Sequence, residues 1–223
     1  MKYGVVIATC CLALVSYAHA QTDMTDMTDR TTSEVYLLGG PSYPYLPAET
    51  REIWKKGWNG GIGYGYSFKP GSIGYGAVYA SVEYSRFTFN DAGYRSWLLP
   101  QYPADSAAGI QQRGLSARGP EMIFTASLNF KGAFSSSRHS IAPYFLAGIG
   151  YMYYQRDSAG ILGTTTYTME SKHQSTFTWS FGIGIEAPVV DPVSIFIQAK
   201  TFLGIFDEPR QYFPVSGGLR VRL

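Results

Sequence analysis

The chain has 223 residues, of which 15% are charged and 16% aromatic, and its formal net charge is +2. Such a small charge predicts no nucleic-acid partner, because nucleic-acid-binding surfaces are strongly basic. Beyond residue 20 the sequence has no apolar run of the roughly 20 residues that a membrane-spanning helix needs, which excludes a helical membrane protein. Both cysteines, Cys10 and Cys11, lie before that point, so we expect no disulfide in the rest of the chain.

The N-terminal segment 1–20 has the pattern of a cleaved secretory signal peptide. Lys2 supplies the positive charge, 5–15 is apolar, and Ala18-His19-Ala20 is a small-residue cleavage site. The next segment, 21–32, is polar, repeats the triplet Thr-Asp-Met and lacks periodicity, so it predicts a flexible periplasmic leader. We therefore expect export through the inner membrane and one folded domain over residues 33–223.

Segment 141–154, with the sequence IAPYFLAGIGYMYY, shows the clearest periodicity in the chain. Large apolar and tyrosine residues occupy one set of alternate positions, including Phe145, Ile149 and Tyr151. Smaller residues, Gly148 and Gly150 among them, occupy many of the others. A period of two predicts a β-strand. Because the apolar face suits lipid and the small face suits a narrow interior, the pattern predicts the wall of a membrane-spanning barrel.

The remainder of the domain repeats this pattern, giving eight predicted strands in all. They lie near 34–40, 57–68, 74–87, 120–131, 141–154, 177–186, 193–204 and 212–223. Long and short connections alternate between them, as in outer-membrane barrels, and an even number of strands puts both termini on one side. The sequence therefore predicts an all-β, eight-stranded antiparallel up-and-down transmembrane β-barrel with its short turns in the periplasm. A soluble lipocalin-like barrel would have the opposite polarity, with an apolar interior and a polar outer face.

Three pieces of sequence resemble the small outer-membrane β-barrel family of opacity-type adhesins and the outer-membrane protein A membrane domain. They are PYFLAGIGY at 143–151, FGIGIE at 181–186 and the terminal GGLRVRL. The resemblance covers residues 33–223 and implies outer-membrane lipid and the outer-membrane assembly machinery as partners. Members often end in an aromatic residue that the assembly machinery recognises. Here the last residue is Leu223, which keeps an apolar side chain in the outward phase.

Charged residues fall at inward positions of the predicted strands, namely Glu83, Glu186, Lys200 and Arg220, with Glu121 and Lys131 as further candidates. The interior of an eight-stranded barrel is only wide enough for side chains to fill it. Charges there must pair, because an unpaired buried charge costs several kcal/mol. Glu186 and Lys200 flank one short turn, so we expect them to lie near each other. The charges predict a salt-bridged plug, with an ion path as the alternative.

The longest connection, 90–118, is the predicted recognition surface. It contains aromatic and basic residues, which dominate binding hot spots in protein interfaces: Tyr94, Arg95, Trp97 and Tyr102. Connections of this length are uncommon unless they are functional or disordered. The alternative is that these aromatic side chains fold over the barrel rim.

Catalytic and metal-binding patterns are weak in this chain. His173 lies near Glu170, Ser171 and Ser175, and some small barrels are lipid-modifying enzymes, but Ser and Glu are common in loops and triads are recognised by geometry. We find no metal-ligand spacing and no nucleotide-binding motif, and we expect no cofactor. The sequence favours a monomeric, non-enzymatic outer-membrane protein with an envelope-structural role and loops for adhesion or binding. The alternative is a narrow channel for small solutes or ions.

Overall fold

The computed structural model describes residues 32–68, 75–101, 114–134, 141–161 and 168–223. The predicted signal peptide 1–20 lies outside the described residues, as does the predicted leader 21–32 apart from Thr32. In the described part of the chain, no helix has the length and apolar character to cross a membrane.

The structure is a closed barrel of antiparallel strands, to which two short helices, a 3₁₀ turn and a small second sheet are added. In chain order the elements are β1 (Thr32–Leu46), α1 (Ala48–Ile53), β2 (Trp54–Phe68), β3 (Tyr75–Phe89), α2 (Asp91–Leu98), the 3₁₀ turn (Leu99–Gln101), β4 (Leu115–Arg118), β5 (Glu121–Ala133), β6 (Ala142–Arg156), β7 (Ala159–Ile161), β8 (Thr168–Met169), β9 (Lys172–Val190), β10 (Val193–Gly204) and β11 (Arg210–Arg222).

Eight of the strands form the barrel, in the order β1-β2-β3-β5-β6-β9-β10-β11, and β11 pairs with β1 to close it. Every barrel strand therefore pairs with its neighbours along the chain, which confirms the predicted up-and-down topology. Closure leaves no unpaired edge, and an edge would expose unsatisfied backbone groups to lipid.

The two ends of the barrel differ in their connections. The connections 69–74, 134–141 and 191–192 join strands at the end where β1 begins and β11 finishes, which we call the turn end. The opposite end, called the loop end, carries α1, α2 and the second sheet, in which β7 pairs with both β4 and β8.

The first connection is shorter than the sequence predicted. β1 continues through 41–46 and β2 already starts at Trp54, so the segment 41–56, predicted as a loop, is mostly strand. In this stretch Ser42 is buried while Tyr43 and Tyr45 are exposed, so the alternation persists. Pro41 and Pro44 obscured it in the sequence, because proline is normally a signal against strand.

The alternation of faces is confirmed in all the strands for which it was predicted. On β9, Phe177 and Ile183 are 74% and 70% exposed, whereas Thr178 and Ser180 between them are buried. On β9 the outer wall thus carries the large apolar side chains and the lumen the polar and small ones. This polarity is the reverse of that in a soluble barrel, and it suits a wall in contact with lipid.

Candidate functional site: the lumen and the loop end

A cluster of four charged residues fills the lumen near the turn end, and we call it the turn-end ion cluster. Glu186 on β9 forms ion pairs with Lys131 on β5 and Arg220 on β11. Arg220 Nε also lies 3.6 Å from Glu34 Oε2 on β1. All four side chains are buried, and Lys131 is 0% exposed. Two acids and two bases balance here, as buried ions require.

Tyrosine rings and hydroxyls complete this cluster. Ser194 Oγ donates to Glu186 at 2.6 Å, and Tyr79 OH donates to Glu34 at 2.5 Å. Lys131 Nζ lies 4.8 Å above the ring of Tyr75 and 4.7 Å above that of Tyr144, within cation–π range. The carboxylates and ammonium therefore have protein partners in place of water.

Lumen-facing glycines make room for these rings. A Cβ added at Gly63 would run into the ring of Tyr36, and one at Gly184 into the ring of Tyr144. Each tyrosine thus lies against a strand that has no side chain at the point of contact. In a narrow barrel, large rings fit into the lumen because glycines on the facing strands leave space for them.

A second ion pair crosses the middle of the lumen. Lys200 Nζ on β10 lies 2.5 Å from Glu83 Oε1 on β3, and both side chains are buried. Ser216 Oγ donates to Asn59 at 2.8 Å, and Asn59 Nδ2 donates to Glu83 at 3.5 Å. These bonds tie β10, β3, β2 and β11 together from inside the barrel.

The expected proximity of Glu186 and Lys200 is wrong. Glu186 pairs in register with Phe196, while Lys200 pairs with Gly182, so the two lie at different levels of the lumen. Each finds its partner across the lumen instead, Glu186 in the turn-end ion cluster and Lys200 at Glu83. The prediction considered only the strands next to the turn, whereas closure of the barrel brings distant strands face to face.

Toward the loop end the lumen becomes more apolar. The rings of Phe202 on β10 and Tyr212 on β11 stack with their centroids 4.9 Å apart, and both are buried. Tyr212 also shares a 2.9 Å hydrogen bond with the hydroxyl of Thr125 on β5. One charged pair persists here, since Arg210 Nη1 lies 3.7 Å from Glu121 Oε2 and the Arg210 guanidinium lies 3.8 Å above the ring of Tyr154.

The described connections at the loop end add to this packing at the barrel mouth. Their buried side chains form one apolar cluster with those of the strand ends, which we call the cap cluster. Its members include Ile53, Trp54, Phe89, Tyr94, Leu98, Ala159 and Ile161. The second sheet and both helices are therefore parts of a folded cap.

The predicted recognition residues differ in how far this cap buries them. Tyr94 is only 1% exposed and its ring packs against Phe89 at 5.3 Å, so its prediction as an exposed contact is wrong. Trp97 is half-buried and stacks on Tyr94 at 6.0 Å, and Arg95 is half-buried on the same helix. Tyr102 lies outside the described residues. The rim-packing alternative thus holds for the two described aromatic residues.

The side chains considered for catalysis lie on or beside the loop end of β9. His173 and Ser171 are exposed, and Ser175 accepts a 2.5 Å hydrogen bond from Tyr151 OH. Among the described residues, none of these serines is hydrogen-bonded to His173. Within the residues that the structure describes, no group of Asp, Glu, His or Cys side chains is arranged so that it could hold a metal ion.

The sequence analysis did not predict two of the charged residues in the lumen. Glu34 lies on β1, where glycines and prolines weaken the alternation, and Arg210 was assigned to a connection although it is the first residue of β11. A signal for Arg210 was present, because it stands two residues before Tyr212 and therefore shares its face. Lys131 could be placed from the sequence because Ser127 and Asn129 precede it in the same phase.

Comparison of the chain with models of protein families agrees with the barrel described above. The model described as outer membrane protein beta-barrel domain matches residues 7–201. The chain belongs to this family. Membership assigns the chain to the outer membrane, and it confirms the resemblance to small outer-membrane barrels. A comparison with curated protein sequences finds no match.

Several solved outer-membrane proteins are similar to this chain at low sequence identity. Neisserial surface protein A is 13% identical, with 86% of this chain and 97% of that chain covered and a TM-score of 0.48. A major outer membrane protein from Thermus thermophilus is 9% identical, with 86% and 99% covered and a TM-score of 0.50. The attachment invasion locus protein Ail of Yersinia pestis is 12% identical, with 87% and 98% covered and a TM-score of 0.43.

Proposed function

We propose that this protein is a non-conducting, non-enzymatic outer-membrane barrel that supports the envelope and presents its folded loop end for binding or adhesion outside the cell. The observation that carries the proposal is the filling of the lumen. From the turn end to the loop end, the described part of the barrel interior holds the turn-end ion cluster, the Glu83–Lys200 pair, the Phe202–Tyr212 stack and the cap cluster.

Conduction would need a continuous water-filled path along the barrel axis, and these layers of side chains would interrupt such a path. Lys131 and Phe202 are each 0% exposed, and Glu83 and Tyr212 are each 1% exposed, so water reaches almost none of their surface. The turn-end ion cluster also satisfies its own charges, which leaves a passing ion no uncompensated site.

Planar-bilayer recordings on the purified, refolded protein test the non-conducting state. We expect no steady open conductance from the wild-type protein. A variant with Glu83→Ala, Lys200→Ala, Phe202→Ala and Tyr212→Ala serves as a comparison, because it removes two successive layers and should conduct more than the wild type. A steady wild-type conductance that these changes leave unaltered would favour the channel alternative.

The binding surface proposed in place of the buried Tyr94 is the exposed side of α2. Ala92, Ser96 and Pro100 are exposed on α2 and the 3₁₀ turn, above the cap cluster. Because the cap cluster holds α2 against the barrel mouth, a partner would meet a preformed surface and little ordering would oppose binding.

Cell attachment tests this surface. Cells that produce the protein should bind extracellular-matrix-coated plates better than cells that lack it. The variant Ala92→Arg with Ser96→Arg should lose this gain, because two bulky charges would stand in the interface. The matched control, Ser158→Arg, adds a charge at another exposed loop-end position and should retain attachment. Equal attachment by the double variant and the wild type would exclude this face of α2.

A further inference from the structure

Exposed charge on the barrel strands is confined to one place. Among the described residues of the eight barrel strands, the exposed Lys, Arg, Asp and Glu side chains are Lys55 and Lys56 on β2 and Arg86 on β3. All three are basic, and β2 and β3 are neighbours in the barrel. The other charged side chains of these strands are buried or half-buried. We call the three residues the basic patch.

The basic patch is held together by the register of β2 and β3. Lys55 pairs with Thr88, and Trp58 pairs with Arg86 two residues along β3. The register shifts between Lys55 and Trp58, which places Lys56 in an irregular part of β2 with its side chain exposed. Three cations therefore share one short stretch of the outer wall at the loop end.

An aromatic pair indicates the depth of the basic patch relative to the lipid headgroups. Trp58 and Tyr84, both on the outer face, pack with their centroids 5.3 Å apart, and Trp58 is the cross-strand neighbour of Arg86. Trp and Tyr are enriched where a barrel wall meets lipid headgroups. Arg86 is level with Trp58, and Lys55 and Lys56 lie beyond it toward the loop end, so we expect the three cations at the depth of the charged headgroups.

The neighbouring helix α1 carries two acidic residues and one basic residue, so the basic patch and α1 together keep a net positive charge. Glu49 and Glu52 are exposed on α1, which also carries Arg51, and the Arg51 guanidinium lies 5.1 Å above the ring of Tyr45 on the outer face of β1. In the described part of the chain, Lys55, Lys56 and Arg86 form no ion pair with an acidic side chain.

We propose that the basic patch binds the phosphate groups of a phosphorylated lipid in the outer leaflet, while the Trp58–Tyr84 pair contacts the lipid just below its headgroup. Lysine binds phosphate as a point charge and arginine as a planar fork, so the patch offers both modes. A lipid headgroup fits better than a soluble anion because the patch lies on the outer wall and away from the barrel axis. This inference goes beyond the proposed function, which concerns binding by the loop end. Both rest on the same premise, that the loop end lies outside the cell.

Native mass spectrometry of the intact protein in non-ionic detergent provides the test. The probes are diphosphoryl lipid A, monophosphoryl lipid A and phosphatidylcholine, and we expect affinity to fall in that order. Each basic residue near an anionic lipid surface contributes about a fivefold gain in binding. The variant with Lys55→Gln, Lys56→Gln and Arg86→Gln should therefore bind diphosphoryl lipid A about a hundredfold more weakly than the wild type.

Two controls make the outcome decisive. Lys172→Gln removes one positive charge from the loop end of β9 and should leave lipid binding unchanged, whereas Arg86→Gln should weaken it. Unheated gel migration checks that each variant is folded. Wild-type affinity in the triple variant, no wild-type preference for phosphate, or an equal loss in Lys172→Gln would overturn the proposal.

A soluble anion separates the two possible sources of phosphate. Tripolyphosphate at the same concentration as the lipid should not displace it. Displacement would show a site for free anions and overturn the lipid assignment. Neither conductance nor cell attachment enters this measurement, so failure of the proposed function and failure of this inference are distinguishable.

Discussion

At the turn end four charged groups hold one another among buried tyrosine and aliphatic side chains, whereas at the loop end the lumen is filled mainly by aromatic and aliphatic side chains. The first region is built from Glu34, Lys131, Glu186 and Arg220, all on barrel strands. The second draws its side chains from strand ends and also from the helices and the second sheet. The turn end thus combines four buried ions with an apolar cluster, whereas the loop end has one charged pair and an apolar cluster that extends beyond the strands.

The two kinds of filling should respond differently to substitution. A buried ion that loses its partner retains its desolvation penalty, so the loss of one charge is severe. An apolar layer loses only part of its packing when a side chain is shortened, and the surroundings relax around the change. We therefore expect the turn end to be intolerant of the loss of any single charge, and the loss of stability at the loop end to be graded with the buried apolar volume that is removed.

Replacing Glu186 should have the largest effect. Glu186→Gln removes the carboxylate shared by Lys131 and Arg220, and we expect the free energy of unfolding to fall by about 3–5 kcal/mol. Urea unfolding in lipid vesicles, followed by tryptophan fluorescence, measures it. Glu170→Gln, at an exposed position, should be neutral. Similar stabilities for the two variants would contradict the contrast between the ends.

The Glu83–Lys200 pair tests whether the middle of the lumen behaves like the turn end. Lys200→Met alone should destabilise by about 3 kcal/mol, because it leaves the Glu83 carboxylate buried without its cation. Adding Glu83→Gln removes that carboxylate, so the double variant should lie within about 1 kcal/mol of the wild type. Strictly additive losses in the same unfolding assay would mean that the pair is not coupled.

Shortening a ring at the loop end should have a smaller effect. Phe202→Leu keeps an apolar side chain in the stack on Tyr212, and we expect a loss of about 1–2 kcal/mol. Phe177→Leu on the lipid-facing side of β9 is the matched control and should change stability by less than about 0.5 kcal/mol. If Phe202→Leu proved as damaging as Glu186→Gln, the graded tolerance of the loop end would be disproved.

The smallest effect is expected at the outermost layer of the cap. Trp97→Ser affects a half-buried ring on α2, so the barrel should lose less than about 1 kcal/mol and keep its unheated gel migration. Trp54→Ser, at a buried ring on β2 in the same cap cluster, should lose about 3 kcal/mol or more. A reversed order would show that α2 is an integral part of the barrel core.

The comparison also shows which features could be predicted from the sequence. The polar lumen was predictable because inward charges such as Glu83, Lys200 and Arg220 stand out in a strand with a period of two. The aromatic filling at the loop end was harder to foresee, because Tyr94 and Trp97 lie in a connection without strand periodicity. Their burial depends on α2 resting on Phe89 and Trp54 of other elements.

The sequence by itself determined the number of barrel strands, the up-and-down order and the two faces of every predicted barrel strand but the first. It could do so because alternation is a local property that each strand displays in its own residues. Only the tertiary structure decided which charges meet. Lys200 and Glu83 are separated by 117 positions in the chain, and they become partners because closure turns β3 and β10 toward the same axis. The basic patch likewise depends on the register of β2 and β3, which fixes the distance between cations on neighbouring strands.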